Sequence, residues 1–193
     1  MNTATVTRTS KETDISVTIL PEDGKTDIST GIGFFDHMLT ALSVHSQIPM
    51  VIHCKGDTYV DAHHTVEDTG IVLGQALNKA LGDKTGIARY GHAYIPMDES
   101  LAFCSLDICN RPFLVFNAEF TNPMIGAYDT CLTEEFLRAF AFNAGLTLHV
   151  NVLYGKNDHH KTEAAYKALA HALRIASTST GAGEAFSTKG ILG

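Results

Sequence analysis

The frame His-His-x-x-Glu occurs twice, as His63-His64-Thr65-Val66-Glu67 and as His159-His160-Lys161-Thr162-Glu163. Each copy opens an apolar run with helical spacing, and each follows by ten residues another histidine, His53 or His149, in a strand-like segment. A frame repeated with matching flanks implies an internal duplication. That is the tightest constraint on the fold, because whatever the first half builds the second must build again. On a helix, adjacent residues diverge by about 100° while residues three or four apart share a face. One histidine of each pair can therefore join the glutamate while the other points to a second site, and two such helix starts facing each other can hold two metal ions. A lone His-His pair also serves as a hydrogen-bonded helix cap; two pairs in repeat register with matching Glu favour ligation.

The match extends in both directions. Residues 71–81 and 164–173 carry Leu or Ala at helical spacing. Before the motifs lie the apolar strands 50–53 and 146–150, each followed by a turn with Gly56 or Gly155. Further back come helices at 34–44 and 134–144, and before them strand pairs 14–20 with 25–29 and 100–109 with 113–120. Each half reads β-β-α-β-α, so the expected fold is α+β, two tandem pseudo-symmetric halves with helices packed on one face of each sheet. The halves are expected at 1–86 and 87–193, joined by the turn-rich Gly82 to Tyr90 stretch into one compact unit. The Ser-, Thr- and Gly-rich tail from Ser177 is expected to order only against a ligand or neighbour.

With 193 residues, 45% of them hydrophobic and 18% charged, the chain can bury a full core. A net charge of -7 with 14 scattered basic residues argues against a nucleic-acid surface. No stretch approaches the roughly 20 apolar residues that span a bilayer, and the polar start lacks a signal-peptide core. A cytoplasmic location is expected. The four cysteines show no Cys-x-x-Cys spacing, which leaves zinc-ribbon and thioredoxin-like readings unsupported. The ten histidines carry the chemistry instead, imidazole being the commonest metal ligand.

Under the duplication, His37 and Glu135 fall at corresponding helix positions. The donor set becomes His37, His63, His64 and Glu67 with Glu135, His159, His160 and Glu163. Nitrogen and oxygen donors without thiolate suit a pair of borderline-to-hard ions, Mn²⁺ or Fe²⁺, with Zn²⁺ open. His53 and His149 read as core or supporting histidines, His92 and His171 as surface or packing residues, and His45 could face the site. Arg89 and Arg111, near turns, offer forks that match a phosphate, and Lys189 offers a point charge in a Gly-flanked tail. Glu12 and Asp98-Glu99 are candidate acid/base groups.

Four segments, Gly31-Ile32-Gly33-Phe34-Phe35-Asp36-His37-Met38-Leu39, Asp61-Ala62-His63-His64-Thr65-Val66-Glu67-Asp68-Thr69, Gly155-Lys156-Asn157-Asp158-His159-His160-Lys161-Thr162-Glu163-Ala164 and Ser187-Thr188-Lys189-Gly190-Ile191-Leu192, closely resemble the imidazoleglycerol-phosphate dehydratases of histidine biosynthesis. The resemblance implies a hydro-lyase converting D-erythro-imidazole glycerol phosphate to imidazole acetol phosphate. It also implies two Mn²⁺ per active site and a homo-oligomer of about two dozen subunits with active sites at subunit contacts. Carried over residue by residue, it implies one ion held by His37, His63, His160 and Glu163, the other by His64, Glu67, Glu135 and His159. Glu135 departs from the pattern, since many members carry His there. By the same resemblance Glu12 carries the proton, His45 contacts substrate, and Arg89, Arg111, Ser187 and Lys189 hold the phosphate.

The proton to be lost is not activated by a carbonyl. An imidazolate bound by both metals could instead expel the neighbouring hydroxyl, giving a diazafulvene-like intermediate in which that proton becomes acidic. Two other classes compete. Asp158-His159-His160 also matches the Asp-His-His signature of manganese phosphoesterases, and the same ligands would serve a metal-buffering assembly protein.

Overall fold

Alternation decides which face of each sheet is buried. On the strand Thr13–Ile19, Ile15, Val17 and Ile19 turn inward while Asp14, Ser16 and Thr18 turn out, and the strand Ser100–Ile108 repeats the pattern with Ala102, Cys104, Leu106 and Ile108 inward. The computed structural model describes residues 1–181. The first half contains β1 (Ala4–Thr9), β2 (Thr13–Ile19), β3 (Asp27–Ser29), α1 (Gly33–Ser46), β4 (Met50–Gly56) and α2 (His63–Leu81). The second contains β5 (Tyr90–Met97), β6 (Ser100–Ile108), β7 (Phe113–Asn117), a short hairpin of β8 (Met124–Ile125) and β9 (Tyr128–Asp129), α3 (Leu132–Ala144), β10 (Leu146–Tyr154) and α4 (Asp158–Ser177).

The sheet orders β1-β2-β4-β3 and β5-β6-β10-β7 correspond strand for strand. In each, the first three strands are antiparallel neighbours, and the last pairs in parallel through a helical crossover, β3 to β4 by α1 and β7 to β10 by α3. The expected α+β class and its duplication are present; each four-stranded sheet carries one strand more than the three expected, and the second half adds the β8–β9 hairpin. β1 and β5 are sheet edges, where polar residues and proline are tolerated. Thr-rich β1 and Pro96-bearing β5 therefore lack the apolar alternation that signals a half-buried strand. The helices begin earlier than expected, so both His-His pairs lie inside helical first turns.

The helices of the two halves meet in the middle, α1 against α4 and α2 against α3, and one continuous core includes residues from both. Gly70 and Gly74, one turn apart on α2, permit the α2/α3 contact: a Cβ at Gly74 would lie 2.6 Å from the Phe140 carbonyl oxygen. An aromatic centre fills the space between helices, with Phe136 edge-on to Phe35 at 5.4 Å and stacked on Tyr166 at 5.3 Å. Among the described residues no helix is long and apolar enough to cross a membrane.

Candidate metal centre

Local capping places both His-His pairs. Asn157 caps α4, its side chain accepting from the His159 N–H at 2.9 Å, and Asp61 accepts from the His63 N–H at 2.7 Å. Asp158, first in α4, faces inward. Its Oδ2 accepts from the Thr121 and Asn122 backbone N–H groups at 3.0 and 2.7 Å, and its Oδ1 accepts from Lys161 at 2.8 Å. Burial alone would raise its pKa, but Lys161 and these donors outweigh burial and bring it down to about 2. A carboxylate so occupied is no metal ligand, which removes the main support for the Asp-His-His phosphoesterase reading.

With α4 so fixed, His159 and Glu163 fall one turn apart on its face toward α1. There they meet His37, which follows Asp36; the Asp36 carboxylate accepts from the Thr30 N–H at 2.8 Å and fixes the entry to α1. Glu163 Oε2 lies 3.3 Å from His159 Nε2 and 3.5 Å from His37 Nε2, and the three ligand atoms sit within 4.8 Å of one another. Phe34 stands edge-on to the His159 ring at 4.9 Å and closes the apolar side. Lys167, one turn beyond Glu163, holds Oε1 at 2.6 Å. Burial opposes the charge on Glu163, yet Lys167 and His37 prevail and keep its pKa below the ordinary value.

The duplicate position is less complete. His63 Nε2 and Glu67 Oε2 are 3.4 Å apart on α2, but Glu135 on α3 is taken up by Arg138, whose Nη1 lies 2.9 and 3.0 Å from its two oxygens. Among the described residues only the His37, His159 and Glu163 set forms a three-donor group.

The second histidine of each pair points away, as the helical divergence required. His64 has Nδ1 at 3.1 Å from both oxygens of Asp57 and Nε2 at 3.7 Å from Glu12 Oε1. His160 has Nδ1 at 2.7 Å from Glu99 Oε2 and Nε2 at 3.7 Å from Asp98 Oδ2. The hydrogen bond to Asp57 raises the pKa of His64, and that to Glu99 raises that of His160. Within one chain the histidines group differently from the two ligand sets that the resemblance implies. His159, not His160, joins His37 and Glu163, because the i,i+4 relation puts His159 on the glutamate's face. His63 sits with Glu67 rather than with His37 for the same reason.

The remaining candidates divide. Glu12, in the β1–β2 turn and half exposed, faces His64. His45, in the last turn of α1, lies with its ring 5.5 Å from that of His171, and burial followed by Lys167 and His171 lowers its pKa. Arg89 and Arg111 converge on Asp107: Arg89 donates from Nε and Nη2 at 2.7 and 3.0 Å, and exposed Arg111 approaches to 3.7 Å. Ser187 and Lys189 lie outside the described residues. Sequence reasoning missed Lys167, Asp57 and Asp107. Continuing the α4 ladder one turn past Glu163 would have found Lys167; Asp57 and Asp107 lie in no periodic relation to the motifs.

The family model described as Imidazoleglycerol-phosphate dehydratase matches residues 30–173. The imidazoleglycerol-phosphate dehydratase of Listeria monocytogenes serotype 4b (strain F2365) is 57% identical over 179 residues, covering 92% of each chain. The crystal structure of the Staphylococcus aureus subsp. aureus N315 enzyme of that name aligns with a TM-score of 0.85 at 43% identity, covering 92% of this chain and 99% of that one. The structure from Pyrococcus furiosus in complex with (S)-C348 aligns with a TM-score of 0.85 at 37% identity, covering 97% and 100%.

Proposed function

The chain belongs to the imidazoleglycerol-phosphate dehydratase family, and from that premise we propose that it dehydrates D-erythro-imidazole glycerol phosphate to imidazole acetol phosphate at a centre holding two Mn²⁺ ions. The carrying observation is the preassembled group of His37, His159 and Glu163 across α1 and α4, echoed on α2 by His63 and Glu67. Two imidazole nitrogens and an anionic carboxylate oxygen, without thiolate, fit a divalent ion of manganese or iron type. When bound, such ions supply Lewis-acid polarisation of the substrate's imidazole nitrogens.

The chain's own groups divide the remaining work. His37, His159 and Glu163 would hold one ion; His63, Glu67 and Glu135 supply donors for the other, once Glu135 exchanges Arg138 for metal. His64 and His160, turned outward, are offered to a neighbouring copy, which fits the family's homo-oligomer of about two dozen subunits. Arg89 and Arg111, with Ser187 and Lys189, hold the phosphate and so restrict how the ring presents itself. His45 borders the substrate. Glu12 takes the proton from the carbon next to the one losing hydroxide, so that hydroxyl and proton leave as water and the resulting enol tautomerises to the ketone. The reaction is placed in the cytoplasm.

The test is ketone formation by metal-stripped protein with and without added Mn²⁺, with inorganic phosphate followed in parallel. Ketone formed only with Mn²⁺ and without phosphate release is expected. Phosphate release would move the chain to the hydrolases, and no reaction would leave a metal-binding assembly.

A further inference from the structure

We propose that Asp57 and Glu99 are positioning residues that fix the tautomer and ring orientation of the two outward histidines, so that Nε2 of His64 and of His160 is each preset to take a metal ion. The proposal rests on the reading of His64 and His160 as ligands. An ionised carboxylate only accepts hydrogen bonds. Nδ1 of His64, 3.1 Å from both Asp57 oxygens, must therefore carry the proton, and so must Nδ1 of His160, 2.7 Å from Glu99 Oε2. In neutral imidazole this leaves the lone pair on Nε2, the atom that faces away from each carboxylate.

Both carboxylates are themselves held. Glu99 Oε1 accepts from the backbone N–H groups of Lys156 and Asn157 at 2.9 and 2.8 Å, just before α4. Asp57 lies in the β4–α2 connection, its backbone N–H donating to the Glu12 carbonyl at 3.0 Å, and its side chain is 14% exposed. Glu99 also reaches α4 from the β5–β6 turn, whereas Asp57 reaches α2 from the loop leading into it. The duplication therefore does not by itself account for the shared arrangement. The two halves supply a carboxylate to the same ring nitrogen from different segments, which points to a requirement of the histidine and not of the loop.

Carboxylates that orient metal-ligating histidines in this way are worth about 10- to 100-fold in metal affinity. The test is calorimetric titration of Mn²⁺ into metal-stripped full-length protein, comparing wild type, Asp57→Ala, Asp57→Asn, Glu99→Ala and His64→Ala. Asp57→Ala and Glu99→Ala should each weaken Mn²⁺ binding by about 10- to 100-fold with little change in the melting temperature of the metal-free protein. Asp57→Asn, which keeps an oxygen acceptor for Nδ1–H, should recover the larger part. Glu99 also holds two backbone amides, so if Glu99→Ala fails to fold the Asp57 variants carry the test. Wild-type affinity in Asp57→Ala, or an Asp57→Asn protein as weak as Asp57→Ala, overturns the proposal. Wild-type affinity in His64→Ala would instead overturn the ligand reading on which it stands.

Discussion

Replacing Asp158 by Asn should destabilise the fold by roughly 2–4 kcal/mol, a range that starts at the pKa shift and ends at the middle of the cost of breaking a buried pair. Asp158 is 3% exposed, and its five donors come from Thr121, Asn122 and Lys161. Its pKa lies at about 2 against an ordinary 3.8, a difference of about 1.8 units, worth about 2 kcal/mol at 1.36 kcal/mol per unit. Because the folded pKa is the lower one, this stability is fully present above about pH 4 and is lost as pH falls through about 2.

Asparagine can satisfy the Thr121 and Asn122 donors with its oxygen, but it then turns an NH₂ toward Lys161, whose Nζ keeps the Glu119 carbonyl at 2.8 Å. A buried ammonium without its carboxylate is the costly product, and removing one partner of such a pair costs about 3–5 kcal/mol. Thermal unfolding at fixed protein concentration should show the effect, since about 1 kcal/mol shifts Tm by roughly 2–4 °C at this size. A drop of about 5–15 °C at pH 7 is expected, narrowing below about pH 4 as the carboxylate of the unfolded chain protonates and closing as pH falls through about 2. A variant within 2 °C of wild type at pH 7, or a difference unchanged by acid, would refute the assignment of Asp158 as an anchor of α4.

Three further outcomes follow from geometry. Gly74→Ala should lower stability by about 1–3 kcal/mol despite better helix propensity, because the new Cβ meets α3 backbone atoms that cannot turn aside; denaturant midpoints at constant m-value would check it. Asp107→Asn should raise KM for the phosphate substrate several-fold with kcat little changed, since it loosens Arg89 and Arg111 rather than the reacting carbons; an equal fall in kcat would place Asp107 elsewhere in the reaction. Glu163→Gln removes the anionic member of the three-donor group, and metal-stripped protein carrying it should bind Mn²⁺ at least about tenfold more weakly, read by calorimetry independently of turnover.

The duplication made the class of fold legible, because periodicity at the His-His-x-x-Glu frames carried helix starts, strand ends and order from one half to the other. It failed where the physical signal is weak. β1 and β5 are edge strands with few inward apolar residues, and the β8–β9 hairpin has two-residue strands that leave no pattern. At the site, the divergence of adjacent histidines was readable from helix geometry alone, as was the His159 to Glu163 spacing. Which histidine of each pair would join His37 was not, because that depends on how α1 crosses α4. Asp57 and Glu99 come from different segments in the two halves, so alignment of the repeats could not have paired them.

The departures from symmetry predict that the two ion positions differ in affinity. On α4 the ladder His159, Glu163, Lys167, His171 continues for about three turns, whereas the corresponding α2 positions are His63, Glu67, Ile71 and Gln75. Gln75 donates across to Asn143 at 3.1 Å, so the α2/α3 groove closes on itself where the α1/α4 groove presents His45, Lys167 and His171. One chain thus offers three converged donors on the α1/α4 side, Glu163 already ionised. On the other side it offers two, with Glu135 engaged by Arg138. Releasing an exposed Arg-carboxylate pair costs up to about 1 kcal/mol, a factor of about five, and the third donor must still be brought in. Mn²⁺ titrated into metal-stripped protein should therefore fill two classes of site separated by roughly tenfold or more. His37→Ala should remove the tighter class, and Arg138→Ala should bring the weaker one closer to it by freeing Glu135. A single class of equal sites in the wild type would mean that neighbouring copies equalise the two centres, and that the asymmetry within one chain does not reach the metal.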